Sequence, residues 1–346
     1  MADEIRIGHQ QLVSAINHVL SAEGVLPEVC DVEAEVMAEA DLMGVPSHGV
    51  RMLPGLVRGI REGRASRVPR LRVVRDRSAV CVLDCDNGPG RFVSLRAMQQ
   101  AVEKARRFGT GVCLAIRTTH WGRAHAYACR AARAGMIGLC TTNAIPNMVA
   151  WGSSVPLLGN NPLAIAVPRG EKHDPIVLDI AMSQAAIGKV GTHLREEKPV
   201  PHGWGLDSSG QPTTDPKAIM SSRRFLPMGG HKGVGLALMM ELLTGALGGE
   251  LLSHEVGRLD TSALDPNATK FFLALDIEAF IDRQSFERKV DELVGYLRGA
   301  RKPGMEITFP GDRSWQMRDR YLSEGIPIHR EIAESLRTIG LNLASD

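Results

Sequence analysis

Two common nucleotide-binding signatures are missing from this sequence of 346 residues. It has no Gly-x-Gly-x-x-Gly run, the glycine turn with which a Rossmann domain holds a dinucleotide, and no Gly-x-x-x-x-Gly-Lys-Ser/Thr run of a P-loop. Asp179 follows a strand-like segment, but no glycine turn precedes it. These absences argue against both a Rossmann domain and a P-loop domain.

Long apolar runs and strong net charge are also absent. No apolar run reaches the roughly 18 residues that a membrane helix needs, and the longest candidate, Val234 to Leu247, carries Glu241. The start, MADEIRIGHQQ, is acidic and polar, unlike a secretory signal. The formal net charge is only +2 and the arginines are scattered, which disfavours a nucleic-acid binder. We therefore expect a soluble, cytoplasmic protein with no membrane or nucleic-acid partner.

Signatures of metal centres and nucleophilic hydrolases are missing as well. The six cysteines have no paired metal or redox spacing, which predicts reduced, buried thiols. His120 and His125 are five residues apart and match no metal pattern, and no His-Glu-x-x-His occurs. Gly-x-Ser-x-Gly, the common hydrolase turn, is absent too. The sequence predicts no metal site.

Helical periodicity marks both ends of the chain, whereas the middle alternates strands and helices. Apolar residues repeat at helical spacing over Leu12 to Leu20, from Pro27 to Ala40, over Leu53 to Glu62 and over Pro327 to Leu343. Leu194 to Lys217, rich in Pro, Gly, Ser and Asp, is predicted to be a long and functional loop. The pattern indicates an α/β or α+β domain whose helical ends pack together. Strands are predicted at 79–84, 111–116, 137–141, 164–168, 176–178 and 270–277, and helices at 94–108, 124–134, 234–247 and 285–298.

A glycine-rich segment, Met228 to Gly235, leads directly into the helix predicted from Leu236 to Leu247. Glycines at a helix start expose backbone N–H groups, and the helix dipole adds partial positive charge there. Lys232 supplies a full charge, so the segment suits a phosphate. A glycine-rich turn whose lysine faces water explains the same residues equally well.

Two histidines stand in segments suited to proton transfer. His48 lies between Ser47 and Arg51, and an arginine can hold a carboxylate through two hydrogen bonds. His120 follows a predicted strand, in a loop that leads to the next helix. Each histidine by itself is as readily explained by a structural role.

Taken together, these segments resemble the malate/L-lactate dehydrogenase-like family, which is distinct from the classical lactate and malate dehydrogenases. The matching stretches follow one another in family order through nearly the whole chain. They are Ser47-His48-Gly49-Val50, Leu53-Pro54, His120-Trp121-Gly122, 134–138, Trp151-Gly152, Gly159-Asn160-Asn161-Pro162, Leu178-Asp179-Ile180-Ala181, Gly203-Trp204 with Asp207, 210–216, 226–233 and Pro310-Gly311-Asp312.

The resemblance implies an α/β (α+β mixed-sheet), non-Rossmann malate/L-lactate dehydrogenase-like fold and a homodimer. It implies a helical domain built from residues 1–74 and 313–346, and an NAD(P)-binding domain over residues 75–312. His48 and His120 match histidines at the reacting centre, and Ser47 and Arg51 fall where a substrate would bind. By position, the residues implied to contact NAD or NADP are Asn143, Leu178, Asp179, Ile180, Ala181, Gly230, His231, Lys232, Pro310, Gly311 and Asp312.

The implied activity is hydride transfer between NAD or NADP and C2 of a small 2-oxo or 2-hydroxy acid, with a histidine handling the proton. Reduction of a cyclic ketimine carboxylate and noncatalytic binding of a small ligand are the alternatives. Many members carry arginine four residues after the first histidine, where this chain has Met52, preceded by Arg51. His231 replaces an aromatic residue before the lysine, and Ala144 a hydroxyl residue. These departures leave the natural substrate and the choice between NAD and NADP open.

Overall fold

The structure, a computed structural model, describes residues 4–170, 173–259, 264–302 and 304–343. Its strands are β1 (Glu4–Ile7), β2 (Arg72–Arg77), β3 (Val80–Gly88), β4 (Thr110–Thr118), β5 (Met136–Thr142), β6 (Met148–Val149), β7 (Pro156–Leu158), β8 (Leu163–Val167), β9 (Ile176–Ile180), β10 (Gly205–Leu206), β11 (Pro212–Thr213), β12 (Arg224–Phe225), β13 (Ala268–Asp276) and β14 (Ile326–His329). Its α-helices are α1 (His9–Ala22), α2 (Pro27–Leu42), α3 (Leu53–Arg61), α4 (Gly90–Phe108), α5 (His125–Arg133), α6 (Ile187–Arg195), α7 (Pro216–Ser222), α8 (His231–Glu241), α9 (Ser253–Leu259), α10 (Arg283–Gly299), α11 (Asp312–Glu324) and α12 (Arg330–Arg337).

The N-terminal helices form where the sequence repeats apolar residues at helical spacing. In α1, Leu12, Ile16 and Leu20 share one face and are fully buried. Pro27 begins α2, where a missing N–H costs no intrahelical hydrogen bond. Two short 3₁₀ turns, Pro46–His48 and Val50–Met52, then lead into α3. The three helices predicted in this region are confirmed.

The two ends of the chain meet in a small antiparallel ladder. β1 pairs with β14 through Ile5 opposite Ile328 and Ile7 opposite Ile326. The continuous helix predicted from Pro327 to Leu343 is therefore wrong in its first turn, and the helix there is α12 alone. Ile326 and Ile328 are buried, and the residue that follows each of them is half-buried. This two-residue period fits strand pairing better than a helix.

A seven-stranded mixed sheet forms the centre, in the order β2-β3-β4-β13-β5-β8-β9. β3 and β4 are parallel, while the other neighbouring pairs run antiparallel. The register places Thr118 beside Ala268, Thr142 beside Lys270, and Leu163 beside Ile180. The ends of β4, β5 and β9 therefore meet at one edge of the sheet, where the candidate site lies.

A second sheet of five short strands, in the order β11-β10-β12-β6-β7, carries α6 and α7. It has its own small core, which contains Val190, Val200, Ile219 and Phe225. The long loop predicted from Leu194 to Lys217 is therefore partly wrong, because it contains β10 and β11 and overlaps the ends of α6 and α7. Its apolar residues are too widely separated for periodicity to reveal them, but they pack together in three dimensions.

One large core joins the N-terminal helices, the main sheet and the C-terminal segment, from Ile7 to Leu343. The architecture confirms the predicted mixed α/β class. The boundaries proposed at residues 74/75 and 312/313 remain a prediction. Within the described ranges, no helix is both long enough and apolar enough to cross a membrane.

Candidate active site

Two histidine side chains face each other at the sheet edge. His48 ends the 3₁₀ turn after α2, and His120 comes two residues after β4 ends. Their ring centroids are 6.0 Å apart and their planes differ by 21°. The backbone N–H of His120 donates to the carbonyl of Leu264 at 2.6 Å, which ties this loop to the segment before β13. The fold thus brings together two residues that lie 72 positions apart in the chain.

Hydrogen bonds orient both rings of this histidine pair (His48 and His120). Ser47 Oγ lies 2.9 Å from His48 Nδ1. The backbone N–H of Gly122 donates to His120 Nδ1 at 3.2 Å. Because Nδ1 of His120 is an acceptor, the neutral ring carries its proton on Nε2. That proton is the one His120 can offer to a ligand.

The surroundings keep both rings neutral. Burial lowers the pKa of His48 to about 4, although the Asp179 carboxylate opposes this shift. Burial holds the pKa of His120 well below its usual range, and the charges of His48, Arg91 and Lys270 lower it further. A proton taken up by His48 therefore disfavours a proton on His120.

A buried carboxylate shapes the turn that carries His48. Asp41 Oδ2 accepts the backbone N–H of Val50 at 2.7 Å. A Cβ on Gly49 would stand 2.1 Å from Asp41 Oδ1, so no larger residue fits there. Burial raises the pKa of Asp41 to about 7, against the effects of the Val50 hydrogen bond and the charges of Arg91 and Arg51.

Arg91 supports His48 from inside the protein. Its Nη2 donates to the backbone carbonyl of His48 at 3.1 Å, and its Nη1 pairs with Glu33 at 3.2 Å. Both side chains are buried, with 2% of Arg91 and none of Glu33 exposed. Glu33 also accepts the backbone N–H of Phe92 at 2.8 Å. Such a buried pair is costly unless it is fully hydrogen-bonded, and here it links α2, α4 and the histidine turn.

Lys270 supports His120 in a similar way. It lies in the central strand β13, is 1% exposed, and donates to Thr118 Oγ1 and, at 2.8 Å, to the carbonyl of Thr119. Its ammonium stands 5.8 Å from the ring centre of Trp121. Burial lowers the pKa of Lys270 to about 8, against the charge of Asp265. The buried ammonium of Lys270 therefore fixes Thr118 and Thr119, the two residues that precede His120.

The end of β9 approaches the histidine pair from the other side. Asp179 accepts from Arg123 Nε at 2.9 Å and from the backbone N–H of His125 at 3.3 Å. Arg123 Nη2 donates to Ser314 Oγ at 3.0 Å, while its buried Nη1 has no hydrogen-bond partner in the described part of the chain. The negative charge of Asp179 acts on His48. The predicted residue Asp179 thus belongs to the same cluster as the histidines.

The other predicted cofactor segments adjoin β9. Pro310 accepts the backbone N–H of Val177 at 3.0 Å, which places 310–312 along the outer edge of β9. Asp312 Oδ2 accepts the backbone N–H of Phe309 at 2.9 Å. The carbonyl of Met182, just after Ala181, accepts the backbone N–H of Met228 at 2.8 Å. Leu178, Ile180 and Ala181 are half-buried along this path.

The glycine-led turn (Gly229 to Lys232) opens helix α8. Gly229 and Gly230 have φ values of 59° and 63°, in the region that favours glycine. A Cβ on Gly230 would stand 2.7 Å from the Trp151 ring, so the turn also needs the missing side chain for space. His231 meets Trp151 edge-on at 6.1 Å, and Lys232 is exposed. A glycine turn at a helix start, with an exposed lysine, suits a phosphate.

The fold does not join Asn143 to the other residues predicted to contact the cofactor. It is 1% exposed, its Nδ2 donates to the carbonyl of Leu251 at 2.8 Å, and its Oδ1 accepts the backbone N–H of Thr269 at 2.9 Å. Both ends of its amide are therefore bonded to the backbone. Its contact with a cofactor remains a prediction.

Sequence reasoning missed the supporting residues Asp41, Arg91, Arg123 and Lys270. None of them stands in a recognisable spacing, and a charged residue inside a predicted strand or helix is ordinarily assigned to the surface. The one available signal was Lys270 inside the apolar run of β13. All six cysteines are buried and free, as predicted. The described residues contain no group of three or more His, Cys, Asp or Glu that could hold a metal.

The candidate site thus combines a half-buried, oriented pair of imidazoles with a glycine-led turn that suits a phosphate. The chain belongs to the malate/L-lactate dehydrogenase family, whose model matches residues 7–337. This confirms the resemblance seen in the sequence motifs.

Individual relatives match along their whole length. The chain is 36% identical to a malate dehydrogenase of Pyrococcus horikoshii, over 97% of this chain and 94% of that protein. It is 34% identical to a Delta(1)-pyrroline-2-carboxylate/Delta(1)-piperideine-2-carboxylate reductase of Pseudomonas syringae pv. tomato, over 96% of each. The solved structure of the Pyrococcus horikoshii enzyme superposes with a TM-score of 0.89, at 33% identity, over 98% of this chain and 96% of that one. These matches confirm the predicted fold.

Proposed function

We propose that this protein is an NAD(P)-dependent oxidoreductase that interconverts a small 2-hydroxy acid and the corresponding 2-oxo acid. The observation that carries the proposal is the histidine pair, whose half-buried rings are 6.0 Å apart and are oriented by Ser47 and Gly122. Family membership supports the reaction class, and the name of the Pyrococcus horikoshii relative supports a hydroxy acid as substrate.

The residues of the chain fit the cofactor. The glycine-led turn and Lys232 would hold a phosphate, the path from Leu178 to Ala181 would line the nucleotide, and 310–312 would close the edge of β9. The buried Nη1 of Arg123, unpartnered among the described atoms, is a further donor beside Asp179. When bound, the nicotinamide supplies or accepts the hydride. Nothing in these contacts separates NAD from NADP, and the proposal covers both.

The histidine pair handles the proton. In the direction of reduction, His120 in its protonated form donates the Nε2 proton to the ligand oxygen that gains negative charge and returns to the neutral ring that burial favours. His48, held by Ser47, stays neutral while His120 carries that proton, because a charge on one ring disfavours a charge on the other. In the direction of oxidation, the neutral rings accept the hydroxyl proton. Arg51 would hold the carboxylate of the substrate.

A second candidate is the reduction of a cyclic ketimine carboxylate. It is favoured by the reductase relative of Pseudomonas syringae, which matches 96% of this chain, against 97% for the malate dehydrogenase. A C=N substrate binds already protonated or takes its proton on nitrogen, so His120 would then orient the substrate rather than supply its proton.

Helix α8 supports the proposal of a homodimer. Its apolar residues Leu236, Leu238, Met239 and Leu242 are 39–47% exposed, and Leu247 just beyond is 61% exposed. A helix that is apolar on all sides is normally covered. A second copy of the chain is the occupant we propose. The six free thiols support a reducing compartment such as the cytoplasm.

The test is direct. NADH and NADPH are each incubated with the protein and a panel of 2-oxo acids and cyclic imine carboxylates, and the absorbance of the reduced cofactor is followed. We expect oxidation of one or both cofactors with at least one 2-oxo acid. Turnover of imines alone would select the second candidate. A flat absorbance across the whole panel, with no thermal shift by either cofactor, would indicate a noncatalytic protein.

A further inference from the structure

Two of the six free cysteines lie side by side in the main sheet. Cys81 in β3 and Cys113 in β4 are direct partners in the parallel ladder. Ladder partners point to the same face of a sheet, and neighbouring strands are about 4.8 Å apart. A disulfide joins Cα atoms that are about 4.4–6.8 Å apart. The backbone therefore already holds this pair within the distance of an S–S bond.

The two thiols lie together beneath helix α4. Both belong to the core cluster that contains Ala101 and Ala105 of this helix. Gly111 precedes Cys113 by two residues in β4 and so shares its face of the sheet. A Cβ on Gly111 would stand 1.9 Å from the carbonyl oxygen of Ala101, so the helix lies directly on this face. The Cys113 thiol donates a hydrogen bond to Cys81, and the two sulfurs are thus in contact before any oxidation.

A lysine ammonium stands on the Cys81 side of the pair. Asp76, in β2, is the other ladder partner of Cys81. Lys104 Nζ donates to Asp76 Oδ1 at 2.6 Å and to the carbonyl of Ser78 at 3.0 Å. The hydrogen bond from Cys113 lowers the pKa of Cys81, and the charge of Lys104 lowers it further, against burial and the charge of Asp76. The same hydrogen bond and burial raise the pKa of Cys113. Cys81 is therefore the thiol that forms the thiolate.

Cys81 is also the thiol nearer to solvent. Strand β2, at the edge of the main sheet, covers it from one side, and all six residues of β2 are exposed. Cys113 lies one strand further inside and is 0% exposed, against 3% for Cys81. Edge strands open locally at lower cost than the centre of a sheet. A small oxidant therefore reaches Cys81 first.

We propose that Cys81 and Cys113 form a site of reversible oxidation, at which hydrogen peroxide closes a disulfide between β3 and β4. The Cys81 thiolate attacks one peroxide oxygen, the O–O bond breaks, and the other oxygen leaves as hydroxide, which takes up the proton released by Cys81 to give water. The sulfur of Cys113 then attacks the sulfenic acid of Cys81, so that the S–S bond forms and a second water leaves. Both sulfurs are oxidised, and the peroxide is reduced to two waters. This inference does not depend on the proposed function.

The test follows the thiols of the whole folded protein. The protein is treated with a small molar excess of hydrogen peroxide and quenched in acid. It is then unfolded for thiol titration and digested without reductant for mass spectrometry. We expect the thiol count to fall from six to four, with a Cys81–Cys113 cross-linked peptide that dithiothreitol removes.

Variants assign the order of the two steps. Cys113→Ser should stop the cross-link and leave a sulfenic acid on Cys81 that dimedone traps, whereas Cys81→Ser should leave Cys113 unmodified. The matched control is Cys85→Ser, at a buried cysteine in the same strand and four residues from Cys81, and it should keep the cross-link. Cys81→Ala and Cys113→Ala repeat the comparison in case serine at these buried positions prevents folding.

Several outcomes would overturn the inference. Six thiols remaining in the treated wild type would do so without any variant, and so would a cross-link between other cysteines. A cross-link that forms in urea but not in the folded protein would belong to the unfolded chain and would refute the site. Dimedone labelling of Cys113 in Cys81→Ser, at the level that Cys81 shows in Cys113→Ser, would remove the assigned role of Cys81 and its neighbour Lys104.

Discussion

The histidine pair and the glycine-led turn lie on the same sheet edge but are built in opposite ways. The histidines are half-buried, and buried ionic groups fix their neighbours: Arg91 holds the carbonyl of His48, and Lys270 holds that of Thr119. The glycine-led turn is exposed at His231 and Lys232, and its shape follows from the backbone freedom of Gly229 and Gly230.

The histidine pair and the glycine-led turn differ because proton transfer and cofactor binding make different demands on a site. Proton transfer needs rings in fixed positions and in a known protonation state, and burial supplies both. A cofactor has to enter and leave, so the turn that would hold its phosphate stays open to solvent. Changes to the first region should therefore act on kcat, and changes to the second on the KM of the cofactor.

The largest expected effect is loss of the histidine pair. His120→Gln and His48→Gln should each lower kcat by roughly two to four decades, the range for removal of a general acid or base. Glutamine can form hydrogen bonds but cannot exchange the proton. Steady-state rates with the best 2-oxo acid measure the effect, and His202→Gln, at an exposed loop histidine, is the control. A near-normal kcat in either variant would remove that residue from proton transfer.

A smaller effect is expected at the glycine-led turn. Lys232→Gln should raise the KM of the reduced cofactor about tenfold, which corresponds to about 1.4 kcal/mol, near the lower end for a hydrogen bond to a charged group. The loss should fall on cofactor KM more than on kcat. Lys217→Gln, at another exposed lysine, serves as the control. A fall in kcat instead would contradict the proposal that the glycine-led turn serves cofactor binding and the histidine pair serves proton transfer.

The last effect, the smallest on rate, concerns the turn beneath His48 and appears in stability. Burial raises the pKa of Asp41 to about 7 from an ordinary value of 3.8. The folded protein thus keeps a proton that the unfolded chain releases, and this stabilisation is lost as the pH rises toward 7. One proton contributes at most about 1.4 kcal/mol per pH unit. Asp41→Asn lacks this titration but can still accept the Val50 N–H.

Urea unfolding at pH 5, 6 and 7 measures this difference. The wild type should lose more unfolding free energy across this range than Asp41→Asn does. Parallel pH dependences in the two proteins would show that Asp41 does not titrate in the folded state.

Strongly periodic segments were predictable and isolated contacts were not. The helices at Leu12 to Leu20 and Val234 to Leu247 follow from apolar spacing and were found, with α8 continuing as a π-helix at Leu242–Ala246. β14 was mistaken for a helix because its partner β1 is more than 300 residues away in sequence. Long-range pairing of this kind leaves no local signal.

The sequence by itself determined the family, the mixed α/β class and the pair His48 and His120, because motif order and periodicity are local properties of the chain. The tertiary structure alone decided which charges surround those histidines. Arg91, Lys270 and Asp179 come from three separate elements, and only the packing of the sheet edge brings them together. Electrostatic effects depend on distance and burial, and neither can be read from spacing along a chain.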